Sequence, residues 1–537
     1  MTAATASRQT RFSPARASWR RLTVFVTLLV LGWALAVPVG HTPRWWHYLV
    51  GAALALALVG SWHGQHVSTT MARWTPMVWR NQRLRSRGSG EPVRRRHRTP
   101  HSPGPAGSTA RLHAQIVVHV RPQPHALITT DDVDDQLPWE FVTAWLDRYG
   151  IRTDTLTVCS VTRTPPASGL RSDAATLLGG RRTQHHDTWL TYTVSAHSNV
   201  GALVARHGPS TTSTPQAGDT DADADGRATT PGLASLADTT ARRLIAELRE
   251  RGWLATVADQ TQLPQFVPAS VTVRRHTWTG IEYSDGYRAV YAVDPAALAD
   301  VADALPALPT KSTWLSLTMR SQGRQPATIS AVVGTLTTTR PARCPLSGLH
   351  GFHGLHHQVA PTLTATHFAA HTQLPRGPLA ANDLTALRWP TTAAGVPIGF
   401  NRARQPVYLG LASPEPVRIT VTGTPQFQVG ITARLALSGL TLALYTADPA
   451  RWAALANHAG PQQFTIQPTS VSPEAIVVSD GSCDTPAGAG ITVTLRQPQS
   501  TQAPATTVVI TQDDRHPDLF YITTPHGRQW LSSRLSE

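Results

Sequence analysis

Lysine is almost missing from this chain: Lys311 stands alone beside 47 arginines in 537 residues. A P-loop of the form G-x-x-x-x-G-K-[ST] needs a lysine that reaches the phosphates. Lys311 lies in Pro309-Thr-Lys-Ser-Thr313 with no glycine loop before it, which excludes a standard P-loop ATPase. Cysteine is scarce as well. Cys159, Cys344 and Cys483 are far apart, odd in number and form no C-x-x-C pair, so neither a disulfide framework nor a zinc ribbon is on offer. Scattered thiols of this kind fit a reducing compartment. Carboxylates are missing from one end only. The first 100 residues carry 15 arginines and a single acid, Glu91, a net +14 of the chain's +15. The remaining body is close to neutral, whereas a nucleic-acid-binding body carries its own basic face.

Charge is also absent from two apolar runs, residues 22–39 and 45–62, joined by Gly40-His-Thr-Pro-Arg44. Each approaches the roughly 20 helical residues that cross a hydrocarbon core, and a helix satisfies its own backbone polar groups in lipid. The expectation is a transmembrane hairpin. Five arginines (Arg8, Arg11, Arg16, Arg20, Arg21) precede it and a cluster from Arg73 to Arg98 follows it, while the connecting loop holds only Arg44. By the positive-inside bias both termini are cytoplasmic, and Trp19, Trp45, Trp46 and Trp62 sit where headgroups favour amphipathic rings. A secretory signal peptide competes for the first run, with Ala34-Leu35-Ala36 as its cleavage site. The second run and its arginines would still leave the body cytosolic.

After the hairpin, residues 63–84 read either as an interfacial helix interrupted at Pro76 or as a basic linker, and residues 86–108 as linker. Strands are expected over residues 113–120, 155–161 and 188–195, with a helix opened by Pro138 and closed by Gly150. Asp131, Asp132, Asp134 and Asp135 form an acidic turn, better explained as a solvated helix start than as a cation site. Residues 208–232 are low-complexity and read as a disordered insertion. A helix follows, with Leu236, Thr240, Leu244 and Leu248 at helical spacing and Gly252 at its end. Further strands over 271–275, 277–293, 314–320 and 328–336 complete an α+β unit. From Val417 the pattern alternates as α/β, like a nucleotide-binding βαβ arrangement. Its phosphate loop is missing, because Gly423-Thr-Pro-Gln-Phe-Gln428 puts proline and phenylalanine where glycines belong.

Two stretches could carry chemistry. In Cys344-Pro-Leu-Ser-Gly-Leu-His350-Gly-Phe-His353-Gly-Leu-His356-His357, four imidazoles fall within eight residues, followed by His367 and His371. Neutral imidazole is a common metal ligand. The spacing nevertheless matches no defined zinc site, so His350, His353, His356 and His357 are weak metal candidates beside the plainer reading of a glycine-rich loop. Asp480-Gly-Ser-Cys-Asp484 lacks a nucleophile-elbow pattern and reads as a turn. No catalytic set, cofactor site or metal site is expected.

The outline of arginines, paired spans, basic linker and α+β body also contains Thr239-Thr-Ala-Arg-Arg-Leu-Ile-Ala-Glu-Leu-Arg-Glu-Arg-Gly-Trp253. Further on come Trp278-Thr-Gly-Ile and the Tyr283-Ser-Asp-Gly-Tyr287 hairpin. On these features the chain resembles the EccE family, a membrane component of type VII (ESX) secretion systems, from the hairpin to about residue 340. The resemblance implies a non-catalytic subunit of a cell inner membrane (plasma membrane) complex that exports proteins. Its partners would be EccB-, EccC- and EccD-type subunits, the EccC type being the motor, with membrane lipids contacting the hairpin and juxtamembrane arginines. Gly51, Ala52, Ala53, Ala55, Ala57 and Gly60 either pack against neighbouring spans or face lipid. The alternative is a membrane-tethered enzyme using the histidine loop or the C-terminal α/β domain. The expected division is a basic N-terminus (1–21), hairpin (22–62), linker (63–109), EccE-like α+β domain (110–340, insertion 208–232), connector (341–406) and α/β domain (407–537).

Overall fold

The computed structural model describes residues 61–62, 65–86, 107–110, 112–122, 125–129, 137–164, 169–170, 172, 185–207, 224–259, 263–322, 325–366, 374–379, 384–385, 387–389, 395–411, 413, 415–438, 440–472, 475–486, 488–497 and 506–534, with single positions 26, 27, 30 and 45. The two apolar runs therefore lie largely outside the described residues. Val26, Thr27, Val30 and Trp45 within them are helical and exposed. Among the described residues no helix is long and apolar enough to cross a membrane. One correction concerns the second run. Ser61–Trp62 pairs antiparallel with Gln65–His66, so a helical span that includes residue 62 is ruled out. In sequence Gly60 precedes this short ladder and Gly64 falls between its two strands, and glycine weakens a helix.

Two large sheets form the body. Along the first, the strands run in the order Leu254–Val257, His113–Arg121, His185–Ser195, Thr155–Arg163, Ser312–Gln322, Gln325–Thr337, Gly286–Val293, Gly280–Tyr283 and Val273–Thr277. All of these neighbours are antiparallel. Alternation explains how one sheet serves two cores. In Thr155–Arg163, Leu156 and Val158 enter one core while Cys159 and Val161 enter the other. Ala289, Tyr291 and Val293 likewise face one side, and Val290 and Ala292 face its opposite.

Helices α1 (Val67–Ser86), α2 (Trp139–Ala144), α3 (Ala224–Glu250), α4 (Leu298–Ala304), α5 (Pro425–Ala436) and α6 (Ala453–Ala459) pack on this framework. Buried Leu236, Leu244 and Leu248 of α3, with Phe141 and Val142 of α2, close the first core. The helix expected after Pro138 is shorter than the pattern implied. It stops at Ala144, and Gly150 instead shares a tight hairpin turn with Tyr149, both at positive φ. Helix α3 begins inside the stretch expected to be disordered. Residues 224–232 are helical, because Leu233, Leu236 and Ala237 follow on one buried face. Residues 208–223 lie outside the described residues.

The second sheet orders its strands Phe464–Ile466, Leu442–Tyr445, Ile476–Ser479, Ile491–Arg496, Val417–Thr422, Val508–Gln512, Leu519–Thr524, Gly527–Ser532, Val396–Phe400, Pro406–Leu409 and Leu127–Thr129. The first six are mutually parallel and the rest antiparallel. In the parallel strands Val, Ile and Leu alternate with Thr and Arg, so that Val417, Ile419 and Val421, with Ile491, Val493 and Leu495, enter one core while Arg418, Thr492, Thr494 and Arg496 turn to the opposite, less covered face. The guanidinium of Arg434 on α5 donates to Ile398 O at 2.7 Å and to Ser533 O, tying helix to sheet. That burial lowers the Arg434 pKa to about 10.

The boundaries drawn from sequence fall across these elements. Position 407 lies inside the Pro406–Leu409 strand, and Leu127–Thr129 crosses from the N-terminal unit to the edge of the second sheet. The stretch expected as a connector supplies Leu349–Gly351, paired with Tyr291–Val293 of the first sheet. The stretch expected as linker supplies Gly107–Ala110, paired with His113–Ile116, and all of α1.

Candidate functional site

In an open parallel sheet, ligands collect beyond the carboxyl ends of the strands. Here that edge is closed by the protein's own groups. Thr424 caps α5 by accepting from Phe427 N at 3.4 Å, and Gln512 Oε1 accepts from Thr424 N at 2.7 Å. Gln428 Nε2 donates to Arg496 O at 2.8 Å and to Gly423 O at 3.2 Å, while Arg451 donates to Pro425 O and Gln428 Oε1. A Cβ on Gly423 would sit 2.6 Å from the Phe427 ring. These bonds and the Phe427 ring occupy the turn between the Val417–Thr422 strand and α5.

The neighbouring Asp480 turn is held in the same way. Asp480 accepts from Thr446 Oγ1 at 2.5 Å, from Ser482 N at 2.9 Å and from the Ser482 hydroxyl. Desolvation pushes the Asp480 carboxyl up, but the bonds from Ser482 and Thr446 outweigh it and hold it below its ordinary value. Its oxygens are engaged in shaping a turn.

His353, His356 and His357 are neighbours, the first two with ring centroids 6.4 Å apart, but the four imidazoles share no single focus. His350 sits on the strand opposite Ala292 and is exposed. His353 stacks on Trp278 with ring planes 14° apart. His356 is buried, and its Nδ1 accepts from Val290 N at 3.3 Å. Nδ1 is thus the unprotonated nitrogen, Nε2 carries the proton, and neither offers a free lone pair. Burial, then the neighbouring His353 and His357, drives the His356 pKa down to about 3. His357 packs edge-on against His276. Among the described residues no three His, Cys, Asp or Glu side chains are grouped to hold a metal. His367, His371 and the Asp131 to Asp135 turn lie outside the described residues.

What the spacing of residues did not reveal is the junction of α1 with the first sheet. Val273–Thr277 is an edge strand, and Asn81 of α1 pairs with it as another strand would. Asn81 Nδ2 donates to His276 O and Asn81 Oδ1 accepts from His276 N, both at 2.8 Å. Arg73 donates to His353 O at 3.4 Å, and Met77 is buried. Gly354 explains the close fit. It has φ +74°, and a Cβ there would come within 2.9 Å of both Arg73 Cβ and the Trp278 ring. Burial lowers the pKa of Arg73 and of Arg80. Helix α1 is therefore neither free linker nor broken at Pro76.

Between α1 and the sheet lies a cleft of about 870 Å³. Met77, Val78 and Trp278 give it apolar walls, Trp74 stands half-exposed, and Arg85, Arg275, Arg340 and Arg343 surround it. Among the described residues no carboxylate lines it. The one signal in the sequence was the interleaving of arginine with tryptophan and methionine in α1, a segment with no acid.

No protein-family model matches the chain. It is 30% identical over 391 residues to the ESX-3 secretion system protein EccE3 of Mycobacterium tuberculosis, in strains CDC 1551 / Oshkosh and ATCC 25618 / H37Rv. That match covers 70% of this chain and 95% of the relative. EccE3 of Mycolicibacterium smegmatis is 29% identical over 326 residues, 60% of this chain and 80% of the relative. A match over nearly the whole length of such a relative makes this chain a member of the EccE family of ESX (type VII) secretion-system components.

Proposed function

We propose that this chain is a non-catalytic structural subunit of an ESX complex in the inner membrane. Residues 22–39 and 45–60 form its hairpin anchor, and both termini are cytoplasmic. In this reading it assembles with EccB-, EccC- and EccD-type subunits and stabilises the machine through which proteins are exported, leaving ATP hydrolysis to the EccC type. One observation carries the reading: the helix that follows the apolar runs is fastened to the body's sheet through Asn81, Arg73 and Met77. Such a joint transmits the position of an anchor to a folded domain.

The test is a mild-detergent pull-down of tagged protein from native membranes, with partners identified by mass spectrometry. Co-purification of EccB-, EccC- and EccD-type subunits, with the complex falling apart when the chain is deleted, is the expected result. A chain recovered alone, under conditions that preserve the complex, would defeat the proposal.

A further inference from the structure

We propose that the cleft between α1 and the Val273–Thr277 edge strand is a binding site for the headgroup of an anionic phospholipid. The inference rests on the membrane reading above and goes beyond it, because most of the recognition comes from the folded body and not from the hairpin. Arg275 lies on the edge strand, and Arg340 and Arg343 follow the long Gln325–Thr337 strand, while Arg85 comes from α1. Four guanidiniums are brought to one opening from three separate stretches of sequence.

No carboxylate neutralises Arg85, Arg275, Arg340 or Arg343 through an ion pair among the described residues. Arg340 donates to the Thr279 hydroxyl at 3.4 Å, and Arg275 and Arg340 act on the Tyr287 hydroxyl. The nearest carboxylate in register is Glu282, opposite Arg275, and it shares a hydrogen bond with Tyr287. Planar guanidiniums bind phosphate oxygens in pairs, with two parallel hydrogen bonds each.

Apolar surface separates a lipid from other anions. Trp74 is 50% exposed beside buried Met77, giving the glycerol and first acyl carbons a surface next to the charges. Position adds to this. Helix α1 starts at Val67, directly after the Gln65–His66 strand that follows the second apolar run. Trp74 lies about 10 Å along the helix from that start, at 1.5 Å per residue. Basic residues near an anionic leaflet act within such a distance.

The experiment uses the full chain in neutral detergent. Binding of water-soluble dihexanoyl phosphatidylglycerol is measured beside dihexanoyl phosphatidylcholine, inorganic phosphate and an acidic peptide. The wild type should prefer phosphatidylglycerol over phosphatidylcholine. The Arg275→Gln/Arg343→Gln double variant should lose about tenfold in affinity, since each basic group near a lipid surface contributes measurably. Trp74→Ala should weaken the lipid without changing the response to phosphate. All three proteins should melt at the same temperature without lipid.

Equal binding of both lipids would overturn the proposal, as would a double variant that binds like the wild type. Phosphate competing as well as the lipid would reduce the site to a general anion site, and tighter binding of the acidic peptide would assign it to a protein partner. Carbonate extraction of native membranes keeps the two readings apart. A chain that stays in the membrane yet shows no lipid preference removes only the cleft proposal. A chain released by carbonate removes the membrane reading and the proposal together.

Discussion

His356 is a base kept neutral by its surroundings, and that has a direct thermodynamic consequence. In the unfolded chain it takes a proton below about pH 6.5, whereas in the fold burial holds its pKa near 3. Between those values the unfolded state binds more protons, so stability falls as pH falls from about 6.5 towards 3. At pH 5 the loss amounts to about 2 kcal/mol from this residue alone. Chemical denaturation of wild type and His356→Asn at pH 7.5 and pH 5 checks it. Asparagine does not titrate and keeps an acceptor for Val290 N, so the variant should lose less stability on acidification. The thiols give a second check at this scale. Cys344 is exposed, Cys483 partly so, and Cys159 is buried with its pKa pushed up to about 12. A maleimide should label Cys344 first, Cys483 later and Cys159 only on unfolding. Mass spectrometry of the labelled peptides reads the order, and early labelling of Cys159 would contradict the buried strand.

The joint between α1 and the edge strand sets what happens when an element is loosened. Asn81→Ala removes both hydrogen bonds to His276 and leaves its backbone groups to find water. The expected cost is about 1–3 kcal/mol, confined to α1 and Val273–Thr277. Hydrogen exchange should therefore quicken there and not in the Thr155–Arg163 strand at the sheet's centre. Much of the central architecture was legible because its strands obey a period of two and their turns carry Gly, Asp and Pro. The junction was not. Asn81 and His276 are 195 residues apart, and nothing in an arginine-rich segment containing Pro76 announces a partner so distant. The contacts of the histidine loop were hidden for a related reason. Its spacing brings imidazoles close in sequence, but a backbone amide from Val290, 66 residues away, claims the His356 nitrogen. A phosphate loop, by contrast, is a local demand on glycine and can be looked for in a few consecutive residues.

At the scale of the molecule the two sheets share a chain that crosses between them. Leu127–Thr129 belongs by sequence to the first unit and by hydrogen bonding to the second. A piece comprising residues 395–534 would keep the second sheet's core but expose the Pro406–Leu409 strand, whose Val407 and Leu409 are fully buried in the whole protein. Open apolar edges recruit other strands. That piece should therefore self-associate, whereas the full chain in detergent does not do so through this edge. Size-exclusion chromatography with light scattering, with and without an added peptide spanning residues 125–130, tells the two apart. A monodisperse monomer without the peptide would show that the crossing strand is dispensable.

Helix α1 also has a mechanical meaning. The Asn81 pair, the Arg73 bond to His353 O and the buried Met77 form a smaller joint than the central ladder, where Ser312–Arg320 pairs residue for residue with Thr155–Arg163. Tension arriving from the proposed anchor would peel the helix from its strand before it sheared that ladder. The attachment would then act as a fuse, letting the anchor shift under load while the body stays folded and ready to re-engage.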